Sequence, residues 1–402
     1  MNRSTSRRRF LLQSSAAMAG LGLARSNAED TITLPFPNGE RKMVQFPQKR
    51  PLIQLSARPT QLETPFEVFK DIITPNDAFF VRYHLANIPR TVDLATFRLE
   101  IKGLVKTPLQ LSLAELQSQF ENVEVVAVNQ CSGNSRGFFN PRVGGGQLAN
   151  GAMGNAKWRG VRLKDVLSKA GLQEGAKQVV CNGLDTAVIP QTPDFIKALE
   201  IEHALDGEIL LAWEMNGEAL PLLNGYPLRL VVPGYYGTYW VKHLNELTVV
   251  KDIYDGFFMA AGYRIATTPG GCIEPGTTPT STVPITRFKV RSFITSHTDG
   301  ATVKAGTSTV LSGIAFDHGA GITEVQISDD GGLNWHAAQL GKDHGRYSFR
   351  PWSFTWTPGK KGSCELKCRA INRLGESQGM EPLWNPQGYM RNVVETTQVN
   401  VA

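Results

Sequence analysis

A segment rich in proline, glycine and threonine, residues 267–279, divides the sequence into two stretches of different texture. Before it, residues 79–250 combine strand-like runs with many turns and only a few helical patterns. After it, short runs of alternating apolar and polar residues recur with turns between them, such as the turn at 330–332. Several short strands within about 115 residues are typical of two packed antiparallel sheets. The sequence therefore predicts the α+β class, with a β-rich mixed domain followed by an all-β sandwich.

The chain has 402 residues, which is too long for one ordinary core and indicates two or three domains. We expect the main domain at 79–266, a linker at 267–282 and an immunoglobulin-like sandwich at 283–402. Ahead of them, residues 29–78 form a lead whose prolines exclude long helices, so it should cross the surface in extended form. A helix is expected at 164–170, where apolar residues recur at helical spacing before a glycine.

The amino terminus has the features of an export signal. Residues 6–12 include three consecutive arginines, a weakly apolar stretch follows, and small residues end at Ala28. This pattern predicts a twin-arginine signal peptide at 1–28 that is removed after Ala28, because the apolar stretch is too short to span a bilayer. The signal contains five arginines and no acidic residue, so its removal lowers the formal charge from +6 to +1. A polyanion partner such as nucleic acid is therefore not expected.

The five cysteines do not form a recognisable pair. No Cys-x-x-Cys sequence occurs, which argues against a zinc ribbon, a redox dithiol and a covalently attached haem. Cys364 and Cys368 share one face of an expected strand and are interpreted as part of the core. Four positions along one strand is too far for an unstrained disulfide between them.

Cys131 follows the short β-branched run 123–128, which we interpret as a strand that delivers the thiol to a loop. Arg136 lies five residues farther on, where a guanidinium can favour the thiolate form and can meet an anionic substrate. A lone thiol at a strand end is more often an inert part of the core. As a thiolate, however, Cys131 is a candidate metal ligand.

Two further clusters contain cations. Arg82 and His84 are two positions apart, so they point to the same face of a strand, either as an anion site or as a solvent-facing pair on an edge strand. Arg229 and Lys242 flank a glycine-rich turn. Cations beside such glycines suit a phosphate, although neither the dinucleotide-binding nor the Walker glycine pattern is present.

Taken in order, these clusters resemble the sulfite oxidase family of molybdenum enzymes. The matching segments lie at 79–84, 130–134, 150–158, 215–217 and 227–234. The carboxy-terminal sandwich corresponds to the dimerisation domain of that family, so the resemblance covers nearly all of the chain after the signal. It implies that the main domain is a sulfite-oxidase-type molybdopterin domain.

The resemblance also implies roles for individual residues. Cys131 corresponds to the thiolate that binds a molybdenum also held by the dithiolene of a molybdopterin, a reasonable use of a soft ligand. The implied catalytic residues are Arg82, Cys131, Arg136 and Tyr263. Tyr263 would hydrogen-bond the substrate or pass a proton, and Tyr254 is a rival for this position. The residues that match the cofactor site are Phe80, Val81, Arg82, Tyr83, His84, Cys131, Asp185, Asn224, Arg229, Trp240, Val241 and Lys242.

Two positions depart from the family pattern. Residue 224 is asparagine, where animal and plant members tend to have histidine. A further substrate arginine, which the tail contributes in animal members, has no clear match near 384–391, and we do not assign that role to Arg391.

By this resemblance, the protein is expected to be a periplasmic sulfite dehydrogenase, exported in folded form, that oxidises sulfite to sulfate. No haem is expected in this chain, so the electrons would pass to a separate c-type cytochrome through a transient contact. We also expect a homodimer through the carboxy-terminal domain and no membrane partner. Three alternatives are a sulfane dehydrogenase of the thiosulfate-oxidising system, a methionine sulfoxide reductase, whose chain lacks the sandwich, and a non-catalytic exported binding protein.

Overall fold

The computed structural model describes residues 30–402, so the expected signal peptide at 1–28 and its cleavage after Ala28 lie outside the described residues. The first sheet is antiparallel, has five strands in sequential order and is built mainly from the proline-rich lead. Its strands are β1 Thr31–Thr33, β2 Glu40–Val44, β3 Leu52–Ser56, β4 Gln61–Glu63 and β5 Val81–Arg82. The lead is thus extended, and its strands pair into a sheet that ends at Arg82.

The main domain contains two further sheets. Its strands are β6 Leu99–Gly103, β7 Leu109–Leu111, β8 Val123–Gln130, β9 Met153–Arg162, β10 Gln178–Gly183, β11 Lys197–Glu200, β12 Leu210–Met215, β13 Glu218–Ala219, β14 Arg229–Val231 and β15 Leu244–Val250. One sheet has the order β11-β10-β15-β6-β7, in which β6 and β15 run parallel. The other has the order β13-β12-β9-β8, with β14 beside β12.

Short helices cover these sheets, at Leu113–Gln119, Leu163–Ala170, Ile201–Ala204 and Phe257–Ala260. The helix expected at 164–170 is confirmed: it buries Val166 and Leu167 and ends at Gly171, whose φ of 68° is in the left-handed region. None of the helices that the structure describes is long and apolar enough to cross a membrane.

Strand β8 explains why Cys131 lies where it does. Its first residues are partly exposed, whereas Ala127 to Gln130 are buried against β9. Directly after the strand, the backbone N–H of Cys131 donates to the carbonyl of Ala152 at 2.9 Å. The strand predicted at 123–128 is therefore confirmed, and it ends in a loop that starts with the thiol.

Beyond the main domain, a two-stranded ribbon leads into a sandwich. The ribbon strands are β16 Arg264–Ala266 and β17 Thr282–Pro284. The sandwich strands are β18 Arg291–Ile294, β19 Ala301–Val303, β20 Thr309–Phe316, β21 Ile322–Ser328, β22 His336–Ala337, β23 Gln339–Leu340, β24 Arg350–Trp356, β25 Gly362–Asn372 and β26 Glu395–Val401. They form two sheets with the orders β18-β20-β24-β23 and β19-β26-β25-β21-β22. Two facing β-sheets are what the sequence predicted for this region.

Local expectations for the sandwich differ from the structure in one place. The run 288–293 was expected to be a strand, but β18 begins only at Arg291, because the N–H of Phe288 donates to Gly234 in the main domain at 3.0 Å. All five cysteines are free, and Cys368 is buried in the core while Cys364 is partly buried beside it.

The two domains share an apolar seam rather than a loose contact. Phe69 of the lead and Val128 and Met153 of the main domain pack with Phe293 and Phe316 of the sandwich in one buried cluster. Because Val128 lies in β8, the sandwich supports the strand that carries Cys131.

Candidate active site

A cleft opens where β5, the end of β8 and the start of β14 approach one another. Nine of the residues expected at the site line it: Phe80, Arg82, His84, Cys131, Asn224, Arg229, Trp240, Lys242 and Tyr263. The other five expected residues, Val81, Tyr83, Arg136, Asp185 and Val241, do not line it. The cleft thus gathers side chains that are far apart in the sequence.

The thiol of Cys131 faces this cleft with 8% of the residue exposed. Gly237 also lines the cleft, and a Cβ built there would lie 2.4 Å from Oδ1 of Asn129. A larger residue at position 237 would therefore have to displace the wall that holds Asn129.

His84 and Tyr263 form a bonded pair in the cleft, through imidazole Nε2 and the phenol hydroxyl. The imidazole also stacks on Phe195, with ring centroids 3.7 Å apart. Burial lowers the pKa of His84 well below its usual value, and the positive charges of Arg82 and Lys242 lower it further. His84 is therefore neutral at neutral pH, and in the tautomer that carries its proton on Nδ1, its Nε2 accepts a hydrogen bond from the Tyr263 hydroxyl.

Tyr263 itself has a backbone φ of 58°, which is unusual for a residue with a side chain. Burial raises the pKa of its phenol. The rival position, Tyr254, is not among the lining residues, and its ring lies against Gly256 instead. Between the two tyrosines, the geometry selects Tyr263.

Buried cations occupy the other end of the cleft. Arg229 donates to the carbonyl of Asn224 at 2.9 Å, and Lys242 donates to the carbonyl of Arg82 at 2.6 Å. Burial lowers the pKa of Lys242 to about 7 and that of Arg229 to about 9. Within residues 30–402, no salt bridge joins Arg82, Arg229 or Lys242 to a carboxylate. The cleft therefore has an excess of positive charge that suits an anion.

The five expected residues that do not line the cleft lie behind the residues that do. The hydroxyl of Tyr83 is bonded to Nε2 of His243 at 2.6 Å. Asp185 is buried, which raises the pKa of its carboxyl, while the charge of Lys242 acts in the opposite direction. Nε of Arg136 donates to the carbonyl of Gln387 at 3.0 Å, so this guanidinium is held at the edge of the site.

Several buried polar atoms of the cleft have no protein partner. Among the residues that the structure describes, they include Oδ1 of Asn129, Oγ of Ser132, Oγ1 of Thr238 and Nε of Arg229. Leaving such atoms unpaired is costly, so a polar ligand that pairs with them is favoured. The same part of the chain contains no group of three or more His, Cys, Asp or Glu side chains placed to hold a metal ion.

Sequence reasoning missed three residues of the site. Lys49, from the lead, donates to Oδ1 of Asn224 at 2.5 Å and is 3% exposed. Phe195 stacks on His84, and Tyr389, from the tail of the sandwich, stacks on Tyr263 with ring centroids 5.3 Å apart. No local pattern marks these residues, because each reaches the site through the tertiary fold.

Comparison with known families gives two matches along the chain. The family described as "Oxidoreductase molybdopterin binding domain" matches residues 84–258. The family described as "Bacterial Ig domain" matches residues 293–367. The first match contains Cys131 and the cations of the cleft, and the second lies in the sandwich.

Several characterised proteins are similar over most of the chain. The mitochondrial sulfite oxidases of Rattus norvegicus and Homo sapiens are each 32% identical, with 96% of this chain and 72% of the relative covered. The sulfite oxidase of Arabidopsis thaliana is 29% identical, with 89% and 96% covered. Among solved structures, the sulfane dehydrogenase SoxCD from Paracoccus pantotrophus aligns with a TM-score of 0.72 at 23% identity, covering 100% of this chain and 95% of that one. This structural likeness shows that the fold is shared.

Proposed function

This chain belongs to the sulfite oxidase family, and we propose that it is a molybdenum-dependent enzyme that oxidises sulfite to sulfate. The observation that carries the proposal is the cleft in which the thiol of Cys131 and the guanidinium of Arg82 meet. A thiolate is a soft metal ligand, and a guanidinium forms charge-assisted hydrogen bonds to an oxyanion. The two groups together provide a metal site next to an anion site.

The residues of the cleft fit a molybdenum–molybdopterin group. Arg229 and Lys242 provide positive charge for its phosphate, and the unpartnered atoms of Asn129 and Thr238 provide hydrogen bonds for a polar ring. Cys131 provides one protein ligand for the metal. When bound, the group would supply the oxygen-atom transfer and accept two electrons from the substrate.

The remaining residues would bind the substrate anion and position the hydroxyl of Tyr263 beside it. Arg82 faces the cleft and would bind the sulfite oxygens. When the Tyr263 hydroxyl donates a hydrogen bond to His84, its oxygen keeps lone pairs that can accept a hydrogen bond from an entering water. Burial lowers the pKa of His84 and raises that of the Tyr263 phenol, so the phenol keeps its proton and His84 orients the hydroxyl beside the anion site.

A sulfane dehydrogenase is the second candidate, and one observation favours it. Arg136 does not line the cleft, since its guanidinium is bonded to Gln387 and lies 5.1 Å from the ring of Tyr389. With Arg82 as the guanidinium that faces the cleft, and with aromatic walls at Phe195 and Tyr263, the site also suits a less highly charged sulfur substrate. Sulfite remains the first proposal, because the guanidinium of Arg136 packs on Tyr389, whose ring stacks on the cleft residue Tyr263.

The physiological setting that we propose rests on the sequence and on the family resemblance. The twin-arginine pattern at residues 6–12 supports export to the periplasm in folded form. We propose a separate c-type cytochrome as the electron acceptor and a homodimer through the carboxy-terminal domain.

The decisive experiment is sulfite-dependent reduction of cytochrome c by protein whose molybdenum content has been measured. Wild-type turnover should rise in proportion to molybdenum content, and Cys131→Ser should abolish it by removing the thiolate. Cys272→Ser is the matched control, because Cys272 is also a free thiol but does not line the cleft.

Two results would contradict the proposal. Full turnover in Cys131→Ser would exclude the thiolate as a required ligand. If molybdenum-replete wild-type protein turned over a sulfane substrate but not sulfite, the second candidate would replace the first.

A further inference from the structure

A fully buried arginine of the carboxy-terminal sandwich reaches across the seam into the main domain. Arg291 begins strand β18 and is 0% exposed. Its Nη1 donates to Oγ of Ser135 at 3.0 Å, and its Nη2 lies 3.4 Å from Oδ1 of Asn150. Nη2 also bonds Oε1 of Glu395 in β26 at 2.8 Å, which balances the charge within the sandwich. An ion pair of one domain therefore holds two side chains of the other.

These two side chains join the segments that surround the thiol. The hydroxyl of Ser135 donates to Oδ1 of Asn150 at 2.5 Å, and the N–H of Ser135 donates to the carbonyl of Ala149 at 2.7 Å. At the other end of the same loop, Cys131 is bonded to Ala152. The loop that carries Cys131 is thus hydrogen-bonded to residues 149–152 at both ends. Arg291 contacts both partners of the hydrogen bond between Ser135 and Asn150.

Ser135 also determines the direction in which the next side chain leaves the loop. Its φ of 71° is left-handed, a conformation that a residue with a Cβ keeps only when its surroundings hold it. Arg136 follows directly and starts a short turn, Arg136–Phe138. If Ser135 relaxed to an ordinary backbone conformation, the guanidinium of Arg136 would move away from the site.

The tail of the sandwich holds Arg136 from the other side. The carbonyl of Gln387 accepts from its Nε at 3.0 Å, and the ring of Tyr389 lies under its guanidinium at 5.1 Å. The N–H of Met390 donates to the carbonyl of Ser132 at 2.9 Å. The sandwich therefore contacts the Cys131 loop at its beginning, through Met390, and at its end, through Arg291.

We propose that Arg291 is a positioning residue for the substrate anion, which acts by holding Ser135 and so fixing the guanidinium of Arg136. The carboxy-terminal domain is then part of the catalytic unit and not only a possible dimer contact. This inference rests on the proposed function, because it takes Arg136 as a group that binds the oxyanion.

The variant Arg291→Lys separates this role from charge balance. An ammonium can keep the ion pair with Glu395, but it lacks the planar fork with which Arg291 reaches Glu395 and Ser135 together. Ser135→Ala removes the same contact from the other partner and leaves the ion pair intact. Both variants should therefore weaken anion binding while the protein stays folded.

The test is calorimetric titration of molybdenum-replete protein with inorganic sulfate, the product anion. Arg291→Lys and Ser135→Ala should each weaken sulfate binding by about tenfold, the loss expected when a charged hydrogen bond is misplaced. The matched control is Arg350→Gln, which breaks an ion pair of 3.0 Å with Asp343 in the same domain, while no hydrogen bond or ion pair found among residues 30–402 joins Arg350 to the Cys131 loop. The control should bind sulfate as the wild type does.

A double-mutant cycle with Arg136→Gln distinguishes positioning from a general loss of stability. If Arg291 acts through Arg136, Arg291→Lys should add no further loss of sulfate affinity once Arg136 is absent. Wild-type affinity in Arg291→Lys and Ser135→Ala, or fully additive losses in the double variant, would overturn the inference while leaving the proposed function intact. Unchanged affinity in Arg136→Gln itself would instead overturn the assignment of Arg136 and the inference with it.

Discussion

Replacing the buried Glu63 by glutamine should remove a pH dependence from the stability of the protein. Glu63 ends strand β4 and is 1% exposed. Its carboxylate accepts from the N–H of Ala149 at 3.0 Å and from that of Gly151 at 2.6 Å, and so fixes the segment that lies against the Cys131 loop. Burial raises the pKa of this carboxyl from 4.5 to about 7, although the two backbone hydrogen bonds act in the opposite direction.

The magnitude and the sign follow from that pKa. A rise from 4.5 to about 7 corresponds to roughly 3 kcal/mol of preference for the protonated form in the folded state. Because the folded protein binds this proton more tightly than the unfolded chain, the stabilisation is fully present below pH 4.5 and is lost as the pH rises through 7. Glutamine has no proton to lose. The difference in unfolding free energy between variant and wild type should therefore move by roughly 3 kcal/mol in favour of Glu63→Gln between pH 4.5 and 8.

Thermal unfolding of both proteins across this pH range provides the assay. The change in the difference between their midpoints should be on the order of 5 °C, the effect of such a free energy on a domain of this size. Glu121→Gln is the control, since Glu121 is largely exposed beside Arg162 and its variant should follow the wild type above pH 6. The reasoning would be refuted if the difference between the two unfolding midpoints did not change with pH, or if it shifted in favour of the wild type as the pH rose. It would mean that the two N–H bonds outweigh the cost of burial.

Three further predictions concern the cleft. Lys49→Met removes the ammonium bonded to Asn224, so the molybdopterin retained per protein, measured as its fluorescent oxidation product, should fall severalfold without loss of secondary structure. In cofactor-free protein, the lowered pKa of Lys242, about 7, should make stability rise between pH 7 and 10.5, because the unfolded chain holds that proton more tightly. This rise should disappear in loaded protein, which calorimetric scans can check. Tyr263→Phe removes the hydroxyl bonded to His84 and should lower kcat/KM at least about tenfold in steady-state assays, with molybdenum content unchanged.

Features that depend on neighbouring residues could be predicted from the sequence. The β-branched run before Cys131 indicates a strand, and the glycine at 171 indicates the end of a helix, because both signals act within a few residues. The shared strand face expected for Arg82 and His84 was not found, because strand β5 ends at Arg82, although both residues line the cleft. These signals were enough to place the thiol and most cations of the cleft.

Features that depend on contacts between distant segments could not be predicted in this way. Lys49 lies 175 residues from Asn224, and Arg136 lies 251 residues from Gln387. The start of β18 was misplaced for the same reason, because Phe288 gives its N–H to the main domain rather than to a neighbouring strand. A lysine in a proline-rich lead looks like any surface lysine until the fold buries it.

The buried cations link cofactor binding to the stability of the fold. Lys49, Arg229 and Lys242 are each held in a setting where burial disfavours the charged form. A bound phosphate would reverse that preference for all three together, since one dianion can neutralise several neighbouring charges at close range in a site of low dielectric. Cofactor binding would then favour the protonated form of these three side chains. It would also give hydrogen-bond partners to the buried polar atoms of the cleft that lack one. For this reason we expect the loaded protein to be more stable than the cofactor-free protein.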